Sequence, residues 1–331
     1  MSDPVRIGIA GAGGFATWVM APILHANPNV VLQAVASKDP LRSAALMPEG
    51  RVHPSYESMM DDPEIDAVYI ALSNDLHAPV TEMALRAGKH VLCEKPLGLN
   101  VAEVERMQAV ALESDRYLLE GFWYRWHPRH RELIARVRAG DFGTVQSVDS
   151  GFVFDGELEG NYRLDASRGG GAAYDVMCYA ISFAVSLYGD SAPVSAVVEE
   201  AQFSDQGADI SSRAILTWTH GATASVSGGF TGPERRWGSL IGTTGSGQTS
   251  EPCFSNSPES EDGTALTLRA ADGSVRDELR FAPSDPRSDM VSDFASVVAG
   301  RMDVADLPMS AQHSHSVATA LDLVRAAMPA S

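Results

Sequence analysis

Through the first third of the chain, short β-branched runs alternate with longer stretches of helical period. Val5 to Ala10, Val30 to Ala36, Ala67 to Ala71, His90 to Cys93 and Tyr117 to Leu119 predict strands. Between them, Trp18 to Ala26, Leu41 to Met47, Ala78 to Ala87 and Ala102 to Leu112 predict helices. Strands that are apolar throughout need cover on both faces, and helices alternating with them supply it, so this rhythm reads as parallel βαβ units. The expected fold class is α/β here, a doubly wound parallel sheet with its ligand at the carboxyl ends of the strands.

The alternation stops after Glu120-Gly121-Phe122-Trp123-Tyr124-Arg125-Trp126-His127-Pro128, where aromatics cluster. One more helix, Arg131 to Ala139, follows. Val145 to Phe154, Val194 to Phe203, Ile210 to Thr219, Ala222 to Phe230 and Thr264 to Leu268 then read as strands, with Gly169 to Tyr188 as a helical interruption. This predicts an α+β domain with an open, mainly antiparallel sheet. The domains are placed at 1–122 and 123–331. The small polar residues from Gly242 to Pro252 read as loops, and Asp155 to Asp165 and Gly232 to Gly238 as loops that shape a pocket. An amphipathic helix, Ser310 to Met328, is expected to pack back on one of the domains. Its His313 and His315 fall on different faces, so they do not predict a metal pair.

Composition narrows the function classes. Of 331 residues, 44% are hydrophobic and 21% charged, as in globular proteins, and the length favours two cores over one. A formal net charge of −18 argues against a sequence-independent grip on nucleic acid or on an anionic membrane. No uninterrupted apolar run predicts a bilayer span, and Met1 to Arg6 lacks the pattern of an export signal, so a cytoplasmic location is expected. Cys93, Cys178 and Cys253 are too few and too far apart to predict a disulfide framework or a thiolate metal site.

The candidate chemistry starts after the first strand, at Gly11-Ala12-Gly13-Gly14-Phe15-Ala16. Gly11 permits a tight turn, Gly13 and Gly14 let backbone approach a pyrophosphate, and Ala16 keeps the following helix close to the strand. The helix start, with Phe15, offers free amides and the positive end of a dipole to phosphates. After the second strand, an NAD site would place an acid against the ribose diol. Here stand Ser37 and Lys38, with Arg42 a turn further on. Two hydrogen bonds to a charged phosphate, at about 1.5–3 kcal/mol each, would favour NADP(H) by about tenfold to several hundredfold. NAD(H) is the second choice, because Asp39 would serve a diol if the strand ran two residues longer.

Leu72, Asn74 and His77 follow the third predicted strand at the edge where a nicotinamide half would pass. Glu94-Lys95-Pro96 follows the fourth, at the mouth of the sheet. Lys95 there can polarise a carbonyl or hold a hydroxyl, with Glu94 orienting its amine. In the second domain, Gly169-Gly170-Gly171 opens a helix on which Asp175 and Tyr179 stand four apart, on one face. A phenol of ordinary pKa, about 10, is ionised only about once in a thousand at pH 7, and a nearby ammonium narrows that gap. Lys95 beside Tyr179 would make an acid/base pair contributing on the order of 10²–10⁴ in rate. Tyr162 and Arg163, just ahead of the glycines, and Arg125 are further candidates for a substrate pocket.

The glycine turn, Asn74 through His77, Glu94-Lys95-Pro96, Arg125-Trp126-His127-Pro128 and Gly169 through Tyr179 occur in that order over nearly the whole chain. In this the sequence resembles the Gfo/Idh/MocA oxidoreductases. The resemblance implies a Rossmann domain followed by an α+β domain whose open sheet serves homo-dimer or homo-tetramer contacts. It also implies a cis Lys95–Pro96 bond, and catalysis by Lys95 with an acid/base residue on the segment from Asp175 to Tyr179. Tyrosine at position 179 is similar to the branch of dimeric dihydrodiol dehydrogenase, NADP-dependent xylose dehydrogenase and sugar ketoreductases. The expected activity is NADP(H)-dependent hydride exchange with a sugar-like carbonyl or carbinol. An aldose or trans-dihydrodiol dehydrogenase working oxidatively is the second expectation. A redox-silent NADP-binding sensor is the alternative from another class, disfavoured because a sensor need not keep Lys95, Asp175 and Tyr179.

Overall fold

The computed structural model describes residues 3–156, 158–254 and 264–329. The first unit holds residues 1–121 and 287–311; the second holds 122–286 and 312–331. In the first unit, β1 (Val5–Ala10), β2 (Val30–Ala36), β3 (Arg51–His53), β4 (Ala67–Ile70), β5 (His90–Cys93) and β6 (Leu118–Glu120) form one sheet. Its order is β3-β2-β1-β4-β5-β6, and every pairing is parallel. The strand order reverses at β1, which sends one half of the helices to each face and opens a crevice at the carboxyl edge. The covering helices are α1 (Ala21–Ala26), α2 (Pro40–Ala44), α3 (Tyr56–Met60), α4 (His77–Arg86) and α5 (Val101–Glu113). Every residue of β4 is buried, as a strand covered on both faces requires.

The second unit opens with α6 (Pro128–Arg138) and β7 (Val145–Val153), and continues through α7 (Cys178–Leu187) to β8 (Ser195–Phe203), β9 (Asp209–Thr217) and β10 (Thr223–Gly229). Next come β11 (Arg235–Gly242), β12 (Gly245–Thr249), β13 (Thr264–Ala270) and β14 (Val275–Phe281). The eight strands run β14-β13-β12-β11-β7-β10-β9-β8, antiparallel except for the parallel pair of β7 and β10. All ten residues of α7 are buried, and the helix packs on β7 and β10. β8, by contrast, alternates exposed and half-buried positions, and Val197 is 62% exposed. One face of this sheet is therefore packed and part of the other is open.

Several expectations need correction. Gly242 to Pro252 is not all loop. Gly245–Thr249 pairs with both β11 and β13, and small residues are needed there because a Cβ on Gly242 or Gly245 would collide with the carbonyl of Phe142 or Arg269. The pocket loop expected at Gly232 to Gly238 becomes strand from Arg235, while Glu157 of the Asp155 to Asp165 loop lies outside the described residues. The segment Arg287–Ala311, placed above in the second domain, belongs to the first unit. It carries most of α8 (Pro286–Val298), whose Met290, Val291, Phe294, Ala295 and Val297 are buried and whose Ser292 accepts from Asn27 at 2.8 Å. From Gln312 on, the last helix, α9 (Ala311–Ala327), counts with the second unit. The helical run Ala166–Leu187 is long and apolar enough to cross a bilayer, but its apolar window is wholly buried, as a core helix is.

Candidate active site

The dinucleotide half is built at the carboxyl edge of the first unit. Gly11 has φ +105°, and a Cβ there would run into the Ala71 carbonyl, so only glycine turns the chain off β1. A Cβ on Gly13 would meet nothing within 4 Å, and one on Gly14 only Trp18 at 3.8 Å. This leaves an open cradle of the kind a pyrophosphate needs. The Thr17 amide closes the first turn on the Gly13 carbonyl at 2.9 Å, so by helix geometry the amides ahead of it have no intrahelical acceptor. A wide π turn, Ala16–Met20, leads into α1, with Ala16 fully buried against the sheet.

β2 ends at Ala36, so the strand does not run on to Asp39. The Asp39 carboxylate instead caps α2, accepting from the amides of Leu41 at 2.9 Å and Arg42 at 3.2 Å. Ser37 contacts the Ser43 hydroxyl at 2.7 Å and donates to the Asp39 carbonyl at 2.9 Å. Lys38 and Arg42 are exposed beside it. The end of β2 therefore presents two cations and a hydroxyl, with its one carboxylate already used in the cap.

Around β4 and β5, Asn74 is buried on a short 3₁₀ turn and Leu72 is half-buried next to Gly11. His77 is 1% exposed, with Nδ1 2.8 Å from the Pro96 carbonyl and Nε2 3.2 Å from that of Leu72. Burial lowers its pKa, so it stands as a neutral brace between two turns. The Lys95–Pro96 bond is cis. Glu120, 2% exposed, accepts from the Leu97 amide at 2.8 Å, and Glu103 accepts from that of Leu99 at 2.8 Å. Tyr69 donates to Glu94 at 2.6 Å. Burial raises the pKa of Glu94, while Tyr69, Lys95 and Arg287 favour its charged form. The result is a half-buried Lys95 on a turn held from three sides.

The second unit carries the acid/base candidates. Gly171 has φ +125°, and a Cβ there would strike Asp209, whose carboxylate caps the Ala173 amide at 2.8 Å. The segment that carries these candidates starts as a π turn, Ala173–Met177, and continues as α7. Such wide turns recur at functional sites. Asp175 is 7% exposed and forms a two-point ion pair with Arg163, at 2.7 and 3.3 Å. Burial works against the Arg163 charge, but Asp175 more than offsets it and the pKa rises. Tyr162 lies under both guanidiniums, with Arg163 5.4 Å and Arg168 5.6 Å from its ring centroid. Tyr179 is 6% exposed and its hydroxyl accepts from the Trp123 indole at 3.0 Å. The rings of Phe122, Phe152 and Phe254 stand 5.5–5.7 Å from it.

Arg125, expected at a substrate pocket, is held in a buried polar network. It is 2% exposed, with Nη1 2.8 Å from His313 Nδ1 and 3.7 Å from Asp190. His313 also meets Ser182 and Asp190 at 2.7 Å each, and Ser182 meets Tyr124 at 2.8 Å. Burial and Arg125 push the His313 pKa down to about 4, against the pull of Asp190. A histidine held below its unfolded value of about 6.5 adds stability above that pH and loses it as the pH falls toward 4. For His313 this amounts to about 3 kcal/mol. His77, His90, His127 and His130 are shifted the same way; Glu94 and Asp209, raised by burial, oppose them. The thermal unfolding midpoint should accordingly drop between about pH 7 and pH 5; a calorimetric midpoint that holds or rises would contradict this balance.

Sequence reasoning flagged the aromatic junction but assigned no role to Trp123, Phe152, Phe254 or Glu120. For the first, the signal available was its place directly after the predicted domain boundary. Residues 5–122 match the family model described as an oxidoreductase family with an NAD-binding Rossmann fold, and residues 130–248 match the GFO/IDH/MocA C-terminal domain. The chain is 34% identical over 300 residues to a D-xylose 1-dehydrogenase (NADP(+)) of Haloferax volcanii, covering 89% of both chains. It is 33% identical over 232 residues to a dTDP-3,4-didehydro-2,6-dideoxy-alpha-D-glucose 3-reductase of Actinomadura kijaniata, covering 69% of each. A crystal structure of a 3-ketoreductase from Actinomadura kijaniata with NADP and TDP-benzene superposes with a TM-score of 0.85 at 28% identity, covering 98% of both chains. By sequence, by both domain models and by fold, this chain belongs to the GFO/IDH/MocA oxidoreductase family.

Proposed function

We propose that this protein is a cytoplasmic NADP(H)-dependent oxidoreductase acting at a carbinol or carbonyl carbon of a sugar or sugar-like polyol. The observation that carries this is Tyr179: a nearly buried phenol at the start of α7 whose oxygen receives the Trp123 indole, four residues after Asp175, which pairs with Arg163 on the wide turn that leads into the helix. An N–H aimed at that oxygen favours the charge it bears when its proton leaves. Tyr179 exchanges the proton with the substrate oxygen, and Lys95 holds that oxygen and assists the phenol. Asp175, fixed by Arg163, accepts from a neighbouring hydroxyl, with Tyr162 at the pocket edge. When bound, the nicotinamide supplies or takes the hydride.

The cofactor cradle is Gly11 to Ala16, with Leu72, Asn74 and Glu94 along the edge and His77 bracing it. Ser37, Lys38 and Arg42 hold the 2′-phosphate. Replacing both Lys38 and Arg42 with Ala is expected to weaken NADPH by about tenfold to several hundredfold and leave NADH nearly unchanged. Fluorescence titration of the two reduced cofactors reads this, and an equal loss for both would contradict it. The open face of the second sheet, with Val197 62% and Ile241 56% exposed, supports subunit contact there as a homo-dimer or homo-tetramer.

A panel of free sugars, keto-sugars, nucleotide-linked keto-sugars and trans-dihydrodiols, followed by nicotinamide absorbance with both cofactors, tests the activity. Turnover of a sugar with NADP(H) supports the reading, and turnover of dihydrodiols alone would move it to the oxidative dehydrogenases. Tight NADPH binding with silence across the panel would favour a sensor.

A further inference from the structure

Arg287 is the first residue of the segment that returns to the first unit, and it follows the buried Pro286 at the start of α8. Its guanidinium carbon stands 5.5 Å from the centroid of Phe15, in the glycine turn after β1. Its charge also acts on Glu94, the residue directly after β5. Phe15 follows the carboxyl end of β1, beside β4 in the sheet order, so a side chain set over its ring lies along the edge where this fold binds its ligand. Neither Gly11 to Ala16 nor Ser73 to His77 contains a lysine or arginine. The pyrophosphate of a dinucleotide, with two negative charges, would otherwise meet mainly neutral amides there, in a chain of net charge −18.

We propose that Arg287 is a pyrophosphate-binding residue of the dinucleotide site. A guanidinium set over an aromatic ring has its planar fork oriented by that ring, and the fork matches phosphate oxygens at two points. Phe15 would thus serve as the platform that aims it. The role differs from that of Lys38 and Arg42, because the pyrophosphate is common to NADP(H) and NAD(H). The inference rests on the cofactor reading above.

Arg287→Met keeps the packing of the stem and removes the charge; Arg287→Lys keeps the charge and removes the fork. Binding of NADPH, NADH, ADP-ribose and 2′-AMP should be measured by calorimetric titration on the full chain, with the unfolding midpoint of each variant. The Met variant is expected to lose about 10- to 100-fold in affinity for the first three ligands and little for 2′-AMP. The Lys variant should fall between it and the parent, and it carries the same comparison should the Met variant unfold. Unchanged ADP-ribose affinity would overturn the assignment, as would a loss confined to NADPH. So would recovery of ADP-ribose binding on adding Glu94→Gln to the Met variant, since the arginine would then only be offsetting that carboxylate. If the parent protein binds no dinucleotide, the cofactor reading itself fails, and this is seen before any variant is compared.

Discussion

Tyr179→Phe is expected to lower kcat by about 10²–10⁴-fold while the dissociation constant for NADPH stays within about twofold of the parent. The substitution removes one oxygen from a residue that is 6% exposed and ringed by Phe122, Phe152 and Phe254, so the aromatic packing survives. What is lost is the atom that receives the Trp123 indole. That atom is the one proposed to hold and release the proton, so the effect should fall on turnover and much less on substrate KM. Single-turnover absorbance with saturating cofactor separates the two quantities. A variant with parental kcat would remove Tyr179 from the chemistry.

Lys95→Met should have the second largest effect, about 10²–10³-fold in kcat, again with little change in fold. Its turn is held by groups other than its own side chain: His77 on the Pro96 carbonyl, Glu120 on the Leu97 amide and Glu103 on the Leu99 amide. Methionine keeps the stem and removes the ammonium. The alkaline limb of the kcat profile should move to higher pH, because a cation near a phenol lowers the pH at which the phenol loses its proton. A purely structural lysine would lower the unfolding midpoint and leave that limb in place.

Much of this architecture was legible because its signals are local. Five of the six strands of the first sheet are short apolar runs bounded by turns, whereas β3, Arg51-Val52-His53, has no such run and was missed; the glycine turn, Glu94 to Pro96 and the glycines before Asp175 are contiguous in the chain. β12 was missed because Gly245 to Thr249 has no apolar run to announce it, and its strand character comes from partners on both sides. β14 was missed for a related reason: its residues are largely exposed, so period-two burial is absent. The Trp123 donor sits 56 residues from Tyr179, and Arg125 is captured by His313, 188 residues away. No local pattern encodes such pairings, so neither the Trp123 donor nor the buried network around Arg125 was legible. Asp39 shows the opposite case, since a carboxylate followed by Pro40 at a helix start is a recognisable cap in sequence.

Tyr179 and Lys95 are proposed to act as one proton-handling unit, and a double-variant cycle on kcat/KM tests that most directly. If they do, Tyr179→Phe and Lys95→Met combined should cost little more than the worse single change, because the second has nothing left to remove. Losses that simply multiply would mean the phenol and the amine work independently, and the proposed mechanism would be wrong.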